Sequence, residues 1–187
     1  KVFNNMELRK FIATIIREYL NEQQEIETNL NDNFKKWFGN SKVVDKQGKP
    51  IVVYHGTDVD FNVFDKNKIG NRHWQSKSDA YGGGIFFTDK KNKASSGGII
   101  KEVYLKIENP LFRELDDNYG YESDYYSATD MYDNNSTSFL QDAKENRNDG
   151  IIIKTPRGSL YIVFEPNQIK SVENDGTWDI GDDNIFS

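Results

Sequence analysis

Apolar residues recur at helical spacing near the start of the chain. Between residues 5 and 28 they form one stripe, made of Leu8, Phe11, Ile12, Ile15, Ile16, Tyr19 and Leu20. Because a helix brings residues three and four positions apart onto one face, this spacing predicts an amphipathic helix. Either Asn4 or Asn5 is a suitable N-cap. We expect the stripe to pack on the rest of the chain; the alternative is a helix that links or contacts other parts of a larger protein.

A polar stretch follows the predicted helix. Residues 29–33 separate it from residues 34–38, whose three aromatic side chains predict a short second helix that ends at Gly39. We therefore divide the chain into an N-terminal amphipathic helix with its linker, residues 1–33, and a main domain, residues 34–187.

Beyond residue 40 the apolar residues form short runs that predict strands. The predicted strands cover residues 42–44, 51–55, 84–88, 102–107, 150–154 and 160–164. A turn at residues 156–158 joins the last two, and a short helix is predicted over residues 139–145. Since regular helices do not separate the strands, the pattern favours an α+β domain over alternating β-α-β units.

A glycine run precedes the predicted strand at residues 84–88. Gly82, Gly83 and Gly84 lead into a strand, whereas a doubly wound dinucleotide-binding fold places its glycines between a strand and a helix. This arrangement disfavours the doubly wound fold. Two polar segments complete the pattern: residues 66–80 predict a flexible cover over a ligand site, and residues 118–135 predict an insertion loop.

Charge and composition narrow the range of functions. The net charge of −6 argues against a broad nucleic-acid-binding surface, which is usually basic. The chain has no cysteine and only two histidines, so we expect neither disulfides nor a metal site. No apolar run is long enough to span a membrane. We expect a cytoplasmic protein with no membrane partner and, because the chain starts at Lys1 rather than at a methionine, one that is part of a larger polypeptide.

Three short motifs suggest the function. They are Tyr-His-Gly-Thr at residues 54–57, Gly-Ile-Phe-Phe-Thr-Asp at residues 84–89 and Leu-Tyr-Ile-Val-Phe at residues 160–164. In this order they resemble the ADP-ribosyltransferase superfamily, in the branch of diphtheria toxin and the poly(ADP-ribose) polymerases. The resemblance is closest to the ADP-ribosyltransferase domains of phage and mobile-element polyvalent proteins, and it extends over residues 34–187. It implies a split antiparallel β-sheet and NAD as the substrate.

The first motif carries the expected ribose and nicotinamide contacts. By resemblance, His55 donates a hydrogen bond to the adenosine ribose, and the backbone of Gly56 holds the nicotinamide carboxamide, with Thr57 beside them. A neutral imidazole suffices for this role. Taken without the resemblance, a histidine at a strand end is as often structural as functional.

The second motif carries the expected aromatic platform. Phe86 falls where the family has a tyrosine that stacks on nicotinamide, so it keeps the aromatic face and loses the hydroxyl. Gly84 precedes it in the same motif. A second family tyrosine would fall near Ser95, where this chain has no aromatic residue, and Tyr81 is our candidate to complete the platform. Because neighbouring strand residues face opposite ways, one of Phe86 and Phe87 must face the core.

The third motif departs most from the family. The resemblance places the catalytic glutamate position at Leu160. Glu165 lies five residues further on, an odd separation, so on a regular strand it faces the opposite side. We expect Glu165 to be solvated or to cap the end of the strand.

These motifs lead to three alternative functions. The first is an NAD-dependent mono-ADP-ribosyltransferase that acts as a phage- or toxin-type effector on a host macromolecule, with catalytic positions His55, Phe86 and Leu160. The second is a catalytically silent module that binds NAD or a partner within a polyvalent protein, and the third is an NAD glycohydrolase. The acidic charge favours a protein acceptor over nucleic acid, and by resemblance residues 141–158 contribute to its choice.

Overall fold

The computed structural model describes residues 5–66, 84–114 and 139–187, and all of their side chains except those of residues 5–10, 21–31 and 95–97. Tyr81, the predicted cover at residues 67–80 and the predicted insertion loop lie outside the described residues. The regular elements are α1 (Asn5–Phe38), β1 (Val53–Thr57), β2 (Ile85–Thr88), a 3-10 helix (Lys91–Gly97), β3 (Ile99–Leu105), β4 (Pro110–Glu114), α2 (Phe139–Glu145), β5 (Gly150–Thr155), β6 (Gly158–Val163) and β7 (Ile169–Ser171).

The described strands form one seven-stranded sheet in the order β4-β5-β6-β2-β1-β3-β7. All neighbouring pairs are antiparallel except β4 and β5, which are parallel. A parallel pair needs a crossover connection, and α2 lies on the connection between these two strands. The predicted α+β class is confirmed, whereas the sheet is mixed rather than wholly antiparallel.

A narrow seam divides the sheet between β1 and β2. All five residues of β1 pair with β3, and all four residues of β2 pair with β6. Across the seam the register contains one pair, Tyr54 with Thr88. The sheet therefore consists of two ladders, β4-β5-β6-β2 and β1-β3-β7, that meet at β1 and β2. This is the split that the resemblance implies.

Alternating side chains build two apolar clusters on the sheet. The main core contains Val43, Val53, Phe64, Ile85, Phe87, Val103, Leu105, Ile107, Ile152, Tyr161, Val163, Ile169 and Ile185. The α2-side cluster contains Leu140, Ala143, Ile151, Ile153, Leu160 and Ile162, with Phe86 packed at its margin. Because β2 contributes Phe87 to the main core and Phe86 to the α2-side cluster, the two rings lie on opposite sides of the strand.

The N-terminal helix is longer than predicted. α1 is continuous from Asn5 to Phe38 and includes residues 29–33, where the sequence predicted a polar linker. Four of these five residues are Asn or Asp, which are weak helix formers, but none is a proline or a glycine, and an ion pair between Asp32 and Lys35 (3.6 Å) supports the last turns. The helix ends before Gly39, as predicted, with φ of +55° at that glycine. The division of the chain into two parts at residue 33 stays a prediction.

The last turn of α1 attaches the helix to the domain. Phe34 packs edge-on against Tyr104 (5.0 Å between ring centroids) and Trp178 (4.8 Å), and Trp37 Nε1 donates a hydrogen bond to the carbonyl of Asn167 (3.2 Å). Residues 11–20 are exposed, including the apolar stripe. The expectation that this part of the stripe packs on the domain is therefore wrong. None of the helices described here combines the length and apolar composition needed to cross a membrane.

Candidate functional site

The fold brings the three sequence motifs next to one another. They lie on β1, β2 and β6, which are separated along the chain but are consecutive neighbours in the sheet. The first motif lies on one side of the seam, and the second and third lie on the other. The three motifs therefore share one region of the molecule, centred on the seam.

His55 bridges the seam with its side chain. Its Nδ1 lies 2.8 Å from the carbonyl oxygen of Phe86. Because a carbonyl oxygen only accepts hydrogen bonds, Nδ1 carries a proton and donates it; when the ring is neutral, Nε2 is the acceptor nitrogen. The hydrogen bond from His55 to a ribose stays a prediction; in the structure, the Nδ1 proton is donated within the protein.

Aromatic rings surround the imidazole of His55. The ring centroids of Phe64, Phe87 and Phe61 lie 5.0 Å, 5.4 Å and 6.5 Å from that of the imidazole. These rings restrict the orientation of His55 and shield its hydrogen bond to Phe86. The sequence analysis did not assign Phe61 and Phe64 to the site; the only signal was their position shortly after the first motif.

Gly56 is required by the protein's own packing. A Cβ atom at this position would lie 1.8 Å from the carbonyl oxygen of Ala94, in the 3-10 helix. The space beside Gly56 that a side chain would occupy is filled by the backbone of the 3-10 helix, which also contains Ser95. Gly56 therefore holds the 3-10 helix against the first motif.

We expect Gly56→Ala to lower the stability of the domain by about 2–3 kcal/mol, because the 3-10 helix must move to admit the methyl group. Thermal unfolding should show a melting temperature lower by several degrees. Gly181→Ala is the matched control, since the atom nearest to its added Cβ is Asp179 Oδ1 at 3.4 Å, an ordinary contact. Equal melting temperatures for the two variants would contradict the close packing at Gly56.

Thr57 and Gly84 have structural contacts of their own. Thr57 is buried, and its Oγ1 donates to the carbonyl of Val59 (3.1 Å) and accepts from the Val59 amide (3.2 Å). This hydroxyl therefore closes the turn after β1. A Cβ atom at Gly84 would lie 2.5 Å from Cγ2 of Ile162, so the glycine lets the entry to β2 pack closely on β6.

Phe86 and Leu160 share one face of the β2–β6 ladder. Phe86 pairs with Ile162, and Thr88 pairs with Leu160. Phe86 is half-buried at the margin of the α2-side cluster, to which Leu160 belongs. The structure therefore brings the ring of Phe86 to the side of Leu160, whereas His55 contacts the main chain of Phe86 and the ring of Phe87.

The residue that the resemblance aligns with the family's glutamate, Leu160, has an apolar environment. Leu160 is 8% exposed and lies among aliphatic side chains of the α2-side cluster. Glu165 is exposed and forms an ion pair with Lys66. The amides of Phe164 and Glu165 donate to Gln168 Oε1 (3.0 and 2.9 Å), which ends the strand. Glu165 is thus solvated at the strand end, as predicted.

Two charged residues near the site were given no role in the predictions from the sequence. Asp89 follows β2, and its Oδ1 accepts a hydrogen bond from the amide of Ser159 (2.9 Å), next to Leu160. Lys101 lies on β3 directly opposite His55 and forms an ion pair with Asp60. The hydrogen bond and charge of Lys101 hold the pKa of Asp60 below its usual value. Nothing in the sequence distinguishes these two residues from other charged residues of the chain. Their place beside the site follows from the pairing of the strands.

The described residues contain no group of three or more histidine, aspartate or glutamate side chains that could hold a metal ion.

On β6, burial raises the pKa of Tyr161, a hydrogen bond from Ser159 opposes this effect, and the charge of Asp89 adds to it. These side chains belong to the main-core side of β6 and stabilise the strand that carries Leu160.

Comparison with known proteins identifies the family. The sequence model described as ADP-ribosyltransferase in polyvalent proteins matches residues 45–178, which include all three motif strands. No curated protein and no solved structure gives a significant match. The resemblance drawn from the motifs is therefore confirmed, and the chain belongs to the ADP-ribosyltransferase domains of polyvalent proteins.

Proposed function

We propose that this domain transfers a single ADP-ribosyl unit from NAD to a macromolecular acceptor. The observation that supports the proposal is the seam between β1 and β2. There, His55 bonds to the backbone of Phe86 at 2.8 Å, and β6 lies on the other side of β2. The three motif strands are thus neighbours in the sheet, although they come from distant parts of the chain.

The residues near the seam suit the separate parts of NAD. Nε2 of His55 accepts a hydrogen bond from a ribose hydroxyl, and the backbone of Gly56 holds the nicotinamide carboxamide. Phe86, half-buried at the margin of its cluster, offers a ring face for stacking. We assign Thr57, Tyr81, Gly84 and Ser95 to the remaining wall of the site.

Transfer breaks the bond between the ribose and the nicotinamide nitrogen. The bonding electron pair stays with that nitrogen, which neutralises the pyridinium ring, and the acceptor then attacks the electron-poor ribose carbon. Because nicotinamide is a good leaving group, positioning the two reactants supplies much of the acceleration. A carboxylate at residue 160 is absent, so the acceptor's own polar groups activate the attacking atom.

A silent binding module is the second candidate function. The buried position of Leu160 favours it, since the residue that we align with the catalytic glutamate lies among aliphatic side chains of the α2-side cluster. Such a module would bind NAD or a partner within a polyvalent protein without chemistry. An NAD glycohydrolase differs from the transferase because water, rather than a macromolecule, attacks the ribose. It differs from the silent module because it cleaves NAD.

Labelled NAD distinguishes the three functions. The domain is incubated with adenine-labelled NAD and a bacterial lysate, and label on macromolecules and free nicotinamide are both measured. Covalent label on protein or RNA, with an equal amount of nicotinamide, supports the transferase. Nicotinamide without labelled acceptor indicates the glycohydrolase, and saturable NAD binding without either product indicates the silent module.

The biological setting that we propose is an effector. The domain, as part of a larger polypeptide from a phage or a toxin, would modify a host macromolecule. The net charge of −6 favours a protein acceptor over a long nucleic acid, because phosphate backbones are repelled. Fractionation of the labelled lysate by protease and by nuclease tests this choice directly.

We expect His55→Ala to weaken NAD binding by about 1–2 kcal/mol, the scale of one hydrogen bond and the partner it leaves unsatisfied. Calorimetry measures the affinity, and circular dichroism checks the fold. His55→Asn serves as a second variant, since its amide can still donate to the carbonyl of Phe86. Unchanged affinity in a folded His55→Ala variant would remove His55 from the site.

A further inference from the structure

Lys101 is a nearly buried lysine beside the proposed site. It pairs directly with His55 across the β1–β3 ladder, and its side chain is 10% exposed. Side chains of directly opposed residues in an antiparallel pair lie on the same face, with Cβ atoms about 5 Å apart. The ammonium group on its flexible stem therefore lies in the neighbourhood of the imidazole.

The ammonium group of Lys101 is held by the carboxylate of Asp60 and by two aromatic rings. Among the described residues, its one hydrogen bond goes to Asp60, whose side chain is 77% exposed. The rings of Phe61 and Phe186 lie 5.3 and 6.0 Å from Nζ, and the same Phe61 ring neighbours His55. An ammonium group donates hydrogen bonds to any nearby anion, so it can exchange the carboxylate of Asp60 for another anion.

We propose that Lys101 binds a phosphate group of NAD. The proposal rests on the function proposed above, in which His55 binds a ribose. In a dinucleotide each ribose is esterified to phosphate, so the group beside a bound ribose is anionic. The nicotinamide ring of NAD is cationic and would be repelled by the ammonium group, which excludes that end of the ligand as its partner.

Because the chain as a whole is negatively charged, a cation at the site matters for the binding of an anionic dinucleotide. With a net charge of −6, the protein repels a dinucleotide at long range, and a cation at the site must compensate locally. Asp60 competes with the ligand for the same ammonium group. Because Asp60 is exposed, it can return to water when a phosphate takes its place, at little cost.

Three variants and three ligands test the proposal. Lys101→Met removes the ammonium group, and Asp60→Asn removes its competitor. Lys106→Met is the matched control, since Lys106 is also mostly buried, pairs with Glu108 (3.9 Å) and lies beyond the other end of β3. The ligands are NAD, ADP-ribose and the phosphate-free nicotinamide riboside, and their affinities are measured by calorimetry or NMR titration.

The two site variants should have opposite effects. We expect Lys101→Met to weaken the binding of NAD and ADP-ribose about tenfold, the scale of one charge-assisted hydrogen bond. The affinity for nicotinamide riboside should not change. Asp60→Asn should raise the affinity for both phosphate-bearing ligands about threefold. This test remains valid even if Lys101→Met does not fold. Lys106→Met should match the parent protein for all three ligands.

Three results would overturn the inference, and they can be distinguished from one another. If the parent protein binds NAD but neither Lys101→Met nor Asp60→Asn changes its affinity, Lys101 does not contact phosphate and the proposed function is unaffected. If the folded parent protein binds neither NAD nor ADP-ribose, both the inference and the proposed function fail. An equal loss of all three ligands in Lys101→Met would indicate a structural lysine and would also reject the inference.

Discussion

Leu160→Glu should destabilise the domain by about 4 kcal/mol at neutral pH. Leu160 is 8% exposed and lies among Ile153, Ile162 and other aliphatic side chains of the α2-side cluster. A carboxylate in that environment loses its hydration among aliphatic neighbours. The variant therefore tests whether residue 160 faces a polar cleft, as the catalytic glutamate of the family does, or an apolar core.

The pH dependence of the same variant gives a second readout. Burial should raise the pKa of the introduced carboxyl in the folded state above its unfolded value of about 4.3. Between these two pKa values the folded state holds a proton that the unfolded state has lost, so stability falls as pH rises through that window. Relative to the parent protein, the loss in the free energy of unfolding should be small below pH 4. It should become constant above the folded-state pKa of the introduced carboxyl.

Denaturant titrations at several pH values measure this effect. Leu160→Met is the volume-conserving control and should cost less than about 1.5 kcal/mol at every pH. An unchanged melting temperature in Leu160→Glu, together with faster release of nicotinamide, would contradict the apolar environment of residue 160. That outcome would instead show a carboxylate that reaches the ribose.

Phe87→Ala should lower stability by about 3–5 kcal/mol, whereas Phe86→Ala should mainly lower NAD affinity. Phe87 is 1% exposed in the main core, and Phe86 is half-buried on the other side of β2. Losing the Phe86 ring removes stacking and apolar contact with nicotinamide, worth on the order of 1–3 kcal/mol of binding. The two adjacent phenylalanines serve as controls for each other.

Thermal unfolding and NAD calorimetry on both variants separate the two roles. The account predicts a large loss of stability with Phe87→Ala and a large loss of affinity with Phe86→Ala. If Phe86→Ala binds NAD normally, the ring of Phe86 belongs only to the α2-side cluster, and the assignment of the second motif is wrong.

The strands around the site could be predicted because each is a short run of apolar residues. Predicted strands at residues 51–55, 84–88 and 160–164 correspond to Val53–Thr57, Ile85–Thr88 and Gly158–Val163, with ends that agree within two residues. β4 was missed, since Pro110–Glu114 begins with proline and contains charged residues, which is tolerated only in an edge strand.

The environment of the site could not be predicted, because it depends on contacts between distant segments. Nothing local shows that the carbonyl of Ala94 fills the space at Gly56, or that His55 donates to Phe86. The same holds for Lys101, whose place opposite His55 follows from strand register alone. Helix α1 illustrates the converse: residues 29–33 have poor helix propensity, but the packed aromatic turn that follows them outweighs it.

The imidazole of His55 offers the most direct test of the central claim, that the seam between β1 and β2 is the NAD site. The chain has only two histidines, His55 and His73, so nitrogen NMR with a His55→Ala reference assigns each ring without ambiguity. The account predicts a neutral His55 protonated on Nδ1 in the free protein, and a change in the Nε2 resonance as NAD saturates. A His55 protonated on Nε2, or imidazole resonances that stay unchanged at saturating NAD, would contradict it.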